Sequence, residues 1–599
     1  MGDYGNMKEQ WILLNKQVDY KSLSEKYNVP SVIIKLMVNR GLCEEDMSGY
    51  LHNDISTLAN PLLMKGVKES ADILMKVATN RERIAIVSDY DCDGIFSGMI
   101  LETGLEKIGA VPVMYTPDRV TDGYGINKRL IDEIYNQGIN YIITCDNGIA
   151  AYDEVVYAKE LGMTVIITDH HEIPFVNESQ ENNEFEVKYI IPPADAVCNP
   201  KQVDCDYPYK GLCGAGVAYR LIDYMYSIND IPFEERKILL QYAAIATIAD
   251  IMELTGENRV IVKTGLNYLS GKSGIGLEAM KEINDLSGKR ISVYHIGFVL
   301  GPCFNAAGRL ENVKPAFNLL RSDNVEQARE YAANLKNLND ERKILTEEGV
   351  EKGIKLIEGY SDDKVMVIII EDCHESVAGI IAGRIKEIIY KPVIVFTKVE
   401  NGMCKGSGRS IPAYDMFTEL SACKDLFEKF GGHAMAAGIT MKEEYVDELR
   451  RRLNVNCRLE PKDMIPVVRI DAEVLFRHMN ENIINSLHVM EPFGNGNPKP
   501  LFCGRNINVK RASIIGRNRK ILKLVLIDQI GDTIEAVYFG EYEEFLSMVE
   551  DRYGRGETDK MLSGAANEVR MAFTFYPEIN EYNGLRRVQL VIQNYDIIS

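Results

Sequence analysis

The segment IAIVSDYDCDGIFSG sets Asp89, Asp91 and Asp93 at the end of a β-branched run, with Gly94 opening a helix behind them. Alternate residues of an extended chain point the same way, so D-x-D-x-D puts three carboxylates on one side of a strand exit. YIITCDNGI brings Asp146 to a second strand exit, and TVIITDHHEIP brings Asp169, His170 and His171 to a third. Later, the small-residue helical run YAAIATIADIMEL ends at Asp250. Taken singly, each has a plain alternative: a solvated turn, a polar histidine pair at a turn, a helix cap. Together, so many carboxylates repel one another and raise one another's pKa, a penalty that divalent cations remove. An oxygen-rich set with an imidazole suits Mn²⁺ or Mg²⁺ better than zinc. Two such ions activate water and clamp the leaving oxygen of a phosphodiester, which makes metal-dependent phosphoester hydrolysis the indicated chemistry.

These residues need a scaffold that ends several strands at one edge. From about 70 to 270 the chain alternates β-branched runs (84–88, 111–115, 141–144, 164–168, 189–191) with helical stretches such as 94–108 and 128–137. That pattern predicts an open parallel sheet, in which ligands bind beyond the carboxyl ends of the strands. A densely charged amphipathic stretch at 325–357 predicts one long helix joining two lobes. Residues 362–455 repeat the α/β pattern, and strand-like runs from 506 to 593 predict a small β-barrel.

The 599 residues carry 68 Lys+Arg against 88 Asp+Glu, a net charge of −20, so bulk charge does not drive nucleic-acid binding. A local patch is needed, and 501–530 has it: Arg505, Lys510, Arg511, Arg517, Arg519, Lys520 and Lys523 against Asp528 alone. Tyr538, Phe539, Phe573, Phe575, Tyr576 and Tyr582 follow. Basic strands with aromatics suit single-strand binding, and equally a solvated hairpin over an aromatic core. Twelve scattered cysteines without a C-x-x-C pair read as reduced thiols. The absence of a signal-like start or a long apolar run gives the expectation of a cytoplasmic protein that meets no membrane.

The four acidic and histidine motifs in order resemble those of the DHH phosphoesterase superfamily. DGYGIN (122–127), GAGVAYRL (214–221), FNAAGRL (304–310), KGSGRS (405–410), GGHAMAAG (431–438) and EPFGNGNPKPLF (491–502) extend the similarity to its single-stranded-DNA exonucleases over nearly the whole chain. The resemblance implies metal ligation by Asp91, Asp93, Asp146, His170 and Asp250, with Asp146 bridging two ions. It also implies that Asp89 ligates or orients, and that Asp169 and His171 support the ligands or touch substrate. Arg119, Asn305, Arg309, His374, Ser407, Arg409, Gly432 and His433 are the implied substrate contacts, and NAAGR and KGSGRS, with Lys405, read as small-residue loops whose backbone amides can approach a phosphate. Of these Arg119, Arg309 and Ser407 would hold a 5′-phosphate, and His433 would contact the backbone across a cleft. For His433 a core-packed histidine stays open. Two positions depart from the family's pattern: Cys303 replaces a usual Arg, and Cys373-His374-Glu375-Ser376 replaces a Trp-His-Pro-Gly-like segment.

The expectation is therefore an α/β chain: a helical lead-in (1–60), a DHH-type parallel-sheet domain (61–275), a helical connector (276–358), a smaller DHH-associated α/β domain (359–457) and an OB-fold barrel (462–599). Its expected activity is 5′→3′ exonucleolytic hydrolysis of single-stranded DNA to mononucleotides with Mn²⁺ or Mg²⁺, in recombination and repair. It would act as a monomer, with a single-strand-binding protein or helicase as a possible partner. A phosphodiesterase of short oligonucleotides or cyclic dinucleotides, and a catalytically silent scaffold, are the alternatives. A Rossmann enzyme is disfavoured, because no G-x-G-x-x-G follows the first strand.

Overall fold

The computed structural model describes residues 9–118, 122–179, 185–516, 520–582 and 584–597. Five short strands, β1 (Arg83–Ser88), β2 (Val111–Tyr115), β3 (Tyr141–Cys145), β4 (Thr164–Thr168) and β5 (Ala196–Cys198), form one sheet in the order β2–β1–β3–β4–β5. Every pairing in it is parallel. Alternation splits the strand residues between two cores: Ile86, Ile143 and Ile166 pack on one face, Val87, Ile142 and Val165 on the other. Both faces are covered, which is why these strands read as unbroken apolar runs.

Helix α1 (Cys92–Ile108) follows β1 and packs with α2 (Gly214–Ile228), α3 (Arg236–Ala249) and α4 (Gly301–Leu310). Phe96 of α1 meets Tyr242 of α3 with ring centroids 5.3 Å apart and Phe304 of α4 at 4.9 Å. Such pairs add about 0.5–1.5 kcal/mol each beyond their burial and fix the helices behind the strand exits. Residues 53–347, with 492–497, make up one compact unit. Among the described residues no helix is long and apolar enough to cross a membrane.

The 33-residue helix α5 (Val325–Ile357) begins in that unit, and its residues 348–357 belong to the second. The second unit holds a sheet of β6 (Met366–Ile369), β7 (Val393–Lys398), β8 (Met403–Arg409), β9 (Phe427–His433) and β10 (Ala436–Lys442) in the order β9–β10–β8–β7–β6, backed by α6 (Glu375–Ile389). It also holds a barrel of β11 (Phe502–Ile515), β12 (Ile521–Ile527), β13 (Thr533–Tyr538), β14 (Arg570–Tyr582) and β15 (Leu585–Ile597). The strands run β11–β12–β13–β15–β14, and β14 closes back onto β11.

Four local expectations change. The fifth sheet strand is Ala196–Cys198, not 189–191; Phe185–Tyr189 pairs with Phe175–Ser179 in a separate ribbon. The helical lead-in contains a strand, Gln10–Leu13, parallel to Val467–Ile470, a partner too distant in sequence for local patterning to reveal. KGSGRS is not a loop: its residues 405–409 complete β8, and Ser410 follows the strand. Its glycines answer to packing, since a Cβ on Gly406 would lie 2.4 Å from the Phe396 ring and one on Gly408 2.3 Å from Met416 Sδ. NAAGR is the end of α4, where a Cβ on Gly308 would lie 2.0 Å from the Tyr90 carbonyl oxygen.

Candidate metal centre

β1 ends at Ser88 and delivers Asp89, and Asp91, in extended backbone, then caps α1, its Oδ1 accepting from Gly94 N at 3.0 Å. The helix starts at Cys92, so strand alternation accounts only for Asp89 and Asp91. Asp93 reaches the same place from the first helical turn. A Cβ at Gly94 would lie 2.4 Å from the Asp89 carbonyl oxygen, so this turn requires glycine. Asn305 Oδ1 on α4 accepts from Cys92 N at 2.8 Å and braces the turn from behind.

Asp93 is gripped at the start of α2: Gly214 N donates to its Oδ2 at 2.7 Å and Ala215 N to its Oδ1 at 2.8 Å. Helix N-termini favour anions, which suits a buried carboxylate. Asp146 leaves β3 with φ +60. Its amide donates to Thr168 O at 3.1 Å, and Tyr124 Oη donates to its carbonyl at 2.5 Å. Asn147 ties the β1 and β3 exits by donating to Val87 O and Cys145 O. After β4, Asp169 acts as a hub: its Oδ1 accepts from the amides of His170 and His171 and lies 2.8 Å from His171 Nδ1, and its Oδ2 accepts from Ile149 N.

His170 Nε2 stands 3.1 Å from Asp146 Oδ1, 3.7 Å from Asp93 Oδ2 and 3.8 Å from Asp250 Oδ2. Three sets, Asp146–His170–His171, Asp93–His170–Asp250 and Asp89–Asp91–Asp146, each place donor atoms within 4.8 Å of one another. All eight acidic and histidine candidates thus meet at one sheet edge.

Burial and the neighbouring carboxylates, Asp93 foremost, push Asp146 far above the usual carboxylate range and Asp250 up to about 8. Asp91 is raised for the same reasons. Burial lowers His170, so its imidazole is held neutral. Burial also works to lower His171, but the hydrogen bond and charge of Asp169 overcome it and raise His171 to about 8. Asp169 stays low despite its burial, because that partner and the Ile149 amide favour its charge. Asp146 Oδ1 and His170 Nδ1 are buried without a hydrogen-bond partner. A buried carboxylate oxygen without a hydrogen-bond partner amid repelling carboxylates, with a neutral imidazole beside it, fits divalent cations.

A pH signature follows. Carboxylates whose folded pKa exceeds the unfolded value stabilise the fold at low pH and cease to as pH rises through the folded value. The metal-free protein is expected to lose stability as pH rises from about 4 through about 8, the value to which Asp250 is raised, with the strongly raised Asp146 acting in the same direction. Added Mn²⁺ should restore it, by about 2.7 kcal/mol at a hundredfold excess over Kd. The melting-temperature gap between Mn²⁺ and EDTA samples should therefore be wider at pH 8 than at pH 5.5. A gap independent of pH would contradict it.

Asp250 ends α3, and the next residue, Ile251, sits at φ +56, in a left-handed conformation that is costly for a β-branched side chain. Its carbonyl accepts from Asn495 Nδ2 at 2.8 Å, and Leu254 N donates to Asn495 O at 2.8 Å. The PFGNGN turn thus clamps the backbone that aims Asp250, a role that no spacing signals. Asn495→Ala should weaken Mn²⁺ binding by roughly tenfold, the scale of lost outer-shell support. Ile251→Gly in that background should recover most of it, since glycine adopts positive φ freely. Spin-resonance titration of free Mn²⁺ reads both.

Three families match the chain: the DHH family N-terminal domain over 83–248, the DHHA1 domain over 362–458 and the RecJ OB domain over 470–594. Single-stranded-DNA-specific exonuclease RecJ of Bacillus subtilis is 34% identical over 596 residues, covering 98% of this chain and 71% of that protein. The chain belongs to the RecJ family. RecJ of Escherichia coli is 30% identical and covered to 99% of its length. The crystal structure of RecJ in complex with Mn²⁺ from Thermus thermophilus superposes with a TM-score of 0.79 at 24% identity, over 98% of this chain and 80% of that one, which establishes the shared fold.

Of the RecJ-type substrate candidates, Arg119 lies outside the described residues. Asn305 and Arg309 sit on α4, in the unit of the metal centre. In the second unit, β8 presents Lys405, Ser407 and Arg409 on one face, with alternate residues buried. Lys405 pairs with Glu375 at 2.7 Å. Arg409 packs against Gly379, and no carboxylate among the described residues pairs with it; burial lowers its guanidinium pKa. His374 caps α6, its Nδ1 2.7 Å from Ser376 Oγ. Gly432, at φ +154, leaves room for the Ala436 carbonyl, and His433 is exposed at the hairpin end, which excludes a core role. In the barrel Phe573 and Phe575 are core residues, whereas Phe539 is 62% exposed; Arg517 and Arg519 lie outside the described residues. Tyr124, Asn147, Gly214 and Asn495 are site residues that sequence reading passed over, though each lies inside a motif it quoted.

Proposed function

We propose that the chain is a metal-dependent exonuclease that hydrolyses single-stranded DNA from a 5′ end to mononucleotides, in recombination and repair. The observation that carries this reading is the meeting of Asp89, Asp91, Asp93, Asp146, His170 and Asp250 at one sheet edge, with donor atoms in sets 4.8 Å across. Asp91, Asp93, Asp146, His170 and Asp250 would hold Mn²⁺ or Mg²⁺, Asp146 serving two ions. When bound, the ions supply an activated water and charge stabilisation for the leaving oxygen. The protein's own part is positioning. The α2 amides fix Asp93, Tyr124 and the Thr168 carbonyl fix the Asp146 backbone, and Asp169 orients both histidines. No side-chain nucleophile is needed. Membership of the RecJ family supports single-stranded DNA as substrate, and the closed barrel with Lys510, Arg511, Lys520 and Lys523 supports a strand-binding role for the second unit.

The 5′ polarity would rest on Arg119, Arg309 and Ser407 as phosphate holders, with Arg409 beside Ser407 on the same face of β8 as a further phosphate contact. No carboxylate among the described residues pairs with the Arg409 guanidinium, whose Nη1 donates to the Gly408 carbonyl, and a guanidinium suits the paired oxygens of a terminal phosphate. Arg409→Ala is expected to cut kcat/KM on 5′-phosphorylated strands by about 10–100-fold, the cost of losing a buried charge-assisted pair. It should also erase the preference over 5′-hydroxyl strands. A variant that keeps the preference would refute the assignment.

A further inference from the structure

Tyr294 and Phe298 are 63% and 71% exposed, and their rings stack with centroids 5.2 Å apart and planes 26° apart. His295 sets its ring edgewise to Tyr294 at 6.0 Å. The backbone that carries them is unusual: Ile296–Leu300 winds as a π-helix, a form frequent at functional sites, and buries Ile296 and Leu300. This segment lies on the end of α3. A Cβ on Gly297 would be 3.8 Å from Ile248 Cγ2, and one on Gly301 3.4 Å from Ala249 Cβ, and Asp250 is the next residue. The segment that carries the two rings therefore packs against the end of the helix that leads into Asp250, on the same unit as the metal centre.

Charge identifies the occupant. Between Asp285 and Glu311 the chain has Lys289, Arg290 and Arg309 and no carboxylate, within a protein of net charge −20. The stretch runs from a basic turn, past the stacked rings, to α4, where Gly308 seats against Tyr90 in the aspartate loop. An anionic chain with flat apolar units matches it. A protein partner does not, because two rings flanked by Ser292, Lys289 and Arg290 fall far short of the roughly 800 Å² per side of a stable interface.

We propose that Tyr294 and Phe298 form a stacking platform for nucleobases of the strand whose end lies in the metal centre. This deepens the exonuclease reading and rests on it for the identity of the strand. Any base has a π face, so such a platform grips without reading sequence.

The test uses the full-length protein in EDTA, so that strands stay intact, with 2-aminopurine walked along single-stranded DNA from its 5′ end. Stacking on a ring quenches this base. Wild type should show quenching at one or two adjacent positions. Tyr294→Ala, Tyr294→Leu and Phe298→Ala should lose it and bind roughly tenfold more weakly per ring removed. Phe298→Trp should keep it. The affinity difference should vanish on strands that are abasic at those positions. Equal binding by wild type and the double alanine variant, or an equal loss on abasic strands, would overturn the platform. So would a change in oligomeric state by light scattering with unaltered strand binding, which would mark a protein contact instead. Wild type that quenches but digests no strand with Mn²⁺ would sustain the platform and overturn the exonuclease reading, so the two failures are distinguishable.

Discussion

Asp146→Asn is expected to abolish strand hydrolysis, lowering it by more than about a thousandfold, while making the metal-free protein more stable. Losing outer-shell support for a metal ligand already costs about 10–100-fold, and Asp146 belongs to two of the three donor sets. The amide keeps the shape but forfeits the charge that would hold cations. The stability gain has a separate origin. Asp93, Asp91, Asp89 and Asp169 all oppose the buried Asp146 carboxylate, so a neutral side chain relieves the cluster. At pH 8 the metal-free variant should melt above metal-free wild type, by about 1–2 °C for each kcal/mol relieved. At pH 5 the gap should shrink, because the raised pKa of Asp146 leaves the wild-type group protonated there. Added Mn²⁺ should raise the wild type's melting temperature and barely move the variant's. Calorimetry of both proteins with and without metal checks all four values. A variant that melts lower than wild type in EDTA would show that Asp146 is a structural carboxylate and not a poised ligand.

Gly214→Ala is expected to cost about a hundredfold in kcat/KM, although no proposed ligand is changed. The first residue of α2 donates its amide to Asp93, and a Cβ there would lie 2.7 Å from Asp146 Cβ and 3.0 Å from Asp146 Cα and Oδ1. The first of these distances is shorter than real Cβ contacts, the other two are tighter than nearly all of them, and two of the three atoms belong to the base of the proposed ligand itself. Either Asp146 shifts or α2 withdraws its amides from Asp93. A displacement near 1 Å at a reacting site costs on the order of a hundredfold. Gly216→Ala, two residues on, is the control. Its Cβ would meet only the Leu212 side chain at 3.3 Å, so a small adjustment suffices and activity should fall less than about threefold. Single-turnover digestion across a Mn²⁺ titration separates the effects, and saturating metal should not rescue Gly214→Ala in full. Equal behaviour of the two alanine variants would contradict the geometry.

The parts of this site that sequence made legible are those written in local pattern. Strand exits carrying Asp89, Asp91, Asp146 and Asp169 are visible because a parallel strand buried on both faces is an unbroken apolar run that ends abruptly. The long helix and the barrel strands are visible by period. Glycine-rich segments misled for a shared reason. In 405–410 and 304–310 glycine reads as loop, but Gly406, Gly408 and Gly308 make room for Phe396, Met416 and Tyr90, partners that only the tertiary fold supplies. The clamp of Asn495 on Ile251 joins residues 244 positions apart, so neither reveals the other. The basic stretch with its aromatics kept two readings, and the barrel divides them: Phe573 and Phe575 face the core, and Phe539 faces solvent. The edge strand Ala196–Cys198 is three residues long, below what alternation can mark.

The most direct measurement is digestion of single-stranded DNA labelled at its 5′ or its 3′ end, with Mn²⁺, by wild type and Asp146→Asn in parallel, with a blunt duplex and a dinucleotide alongside. The account predicts that 5′ label leaves at once as mononucleotide, that 3′-labelled strands shorten progressively, that the duplex survives and that the variant is inert. Release from the 3′ end first, cleavage of the dinucleotide but not the long strand, or an active variant would contradict it.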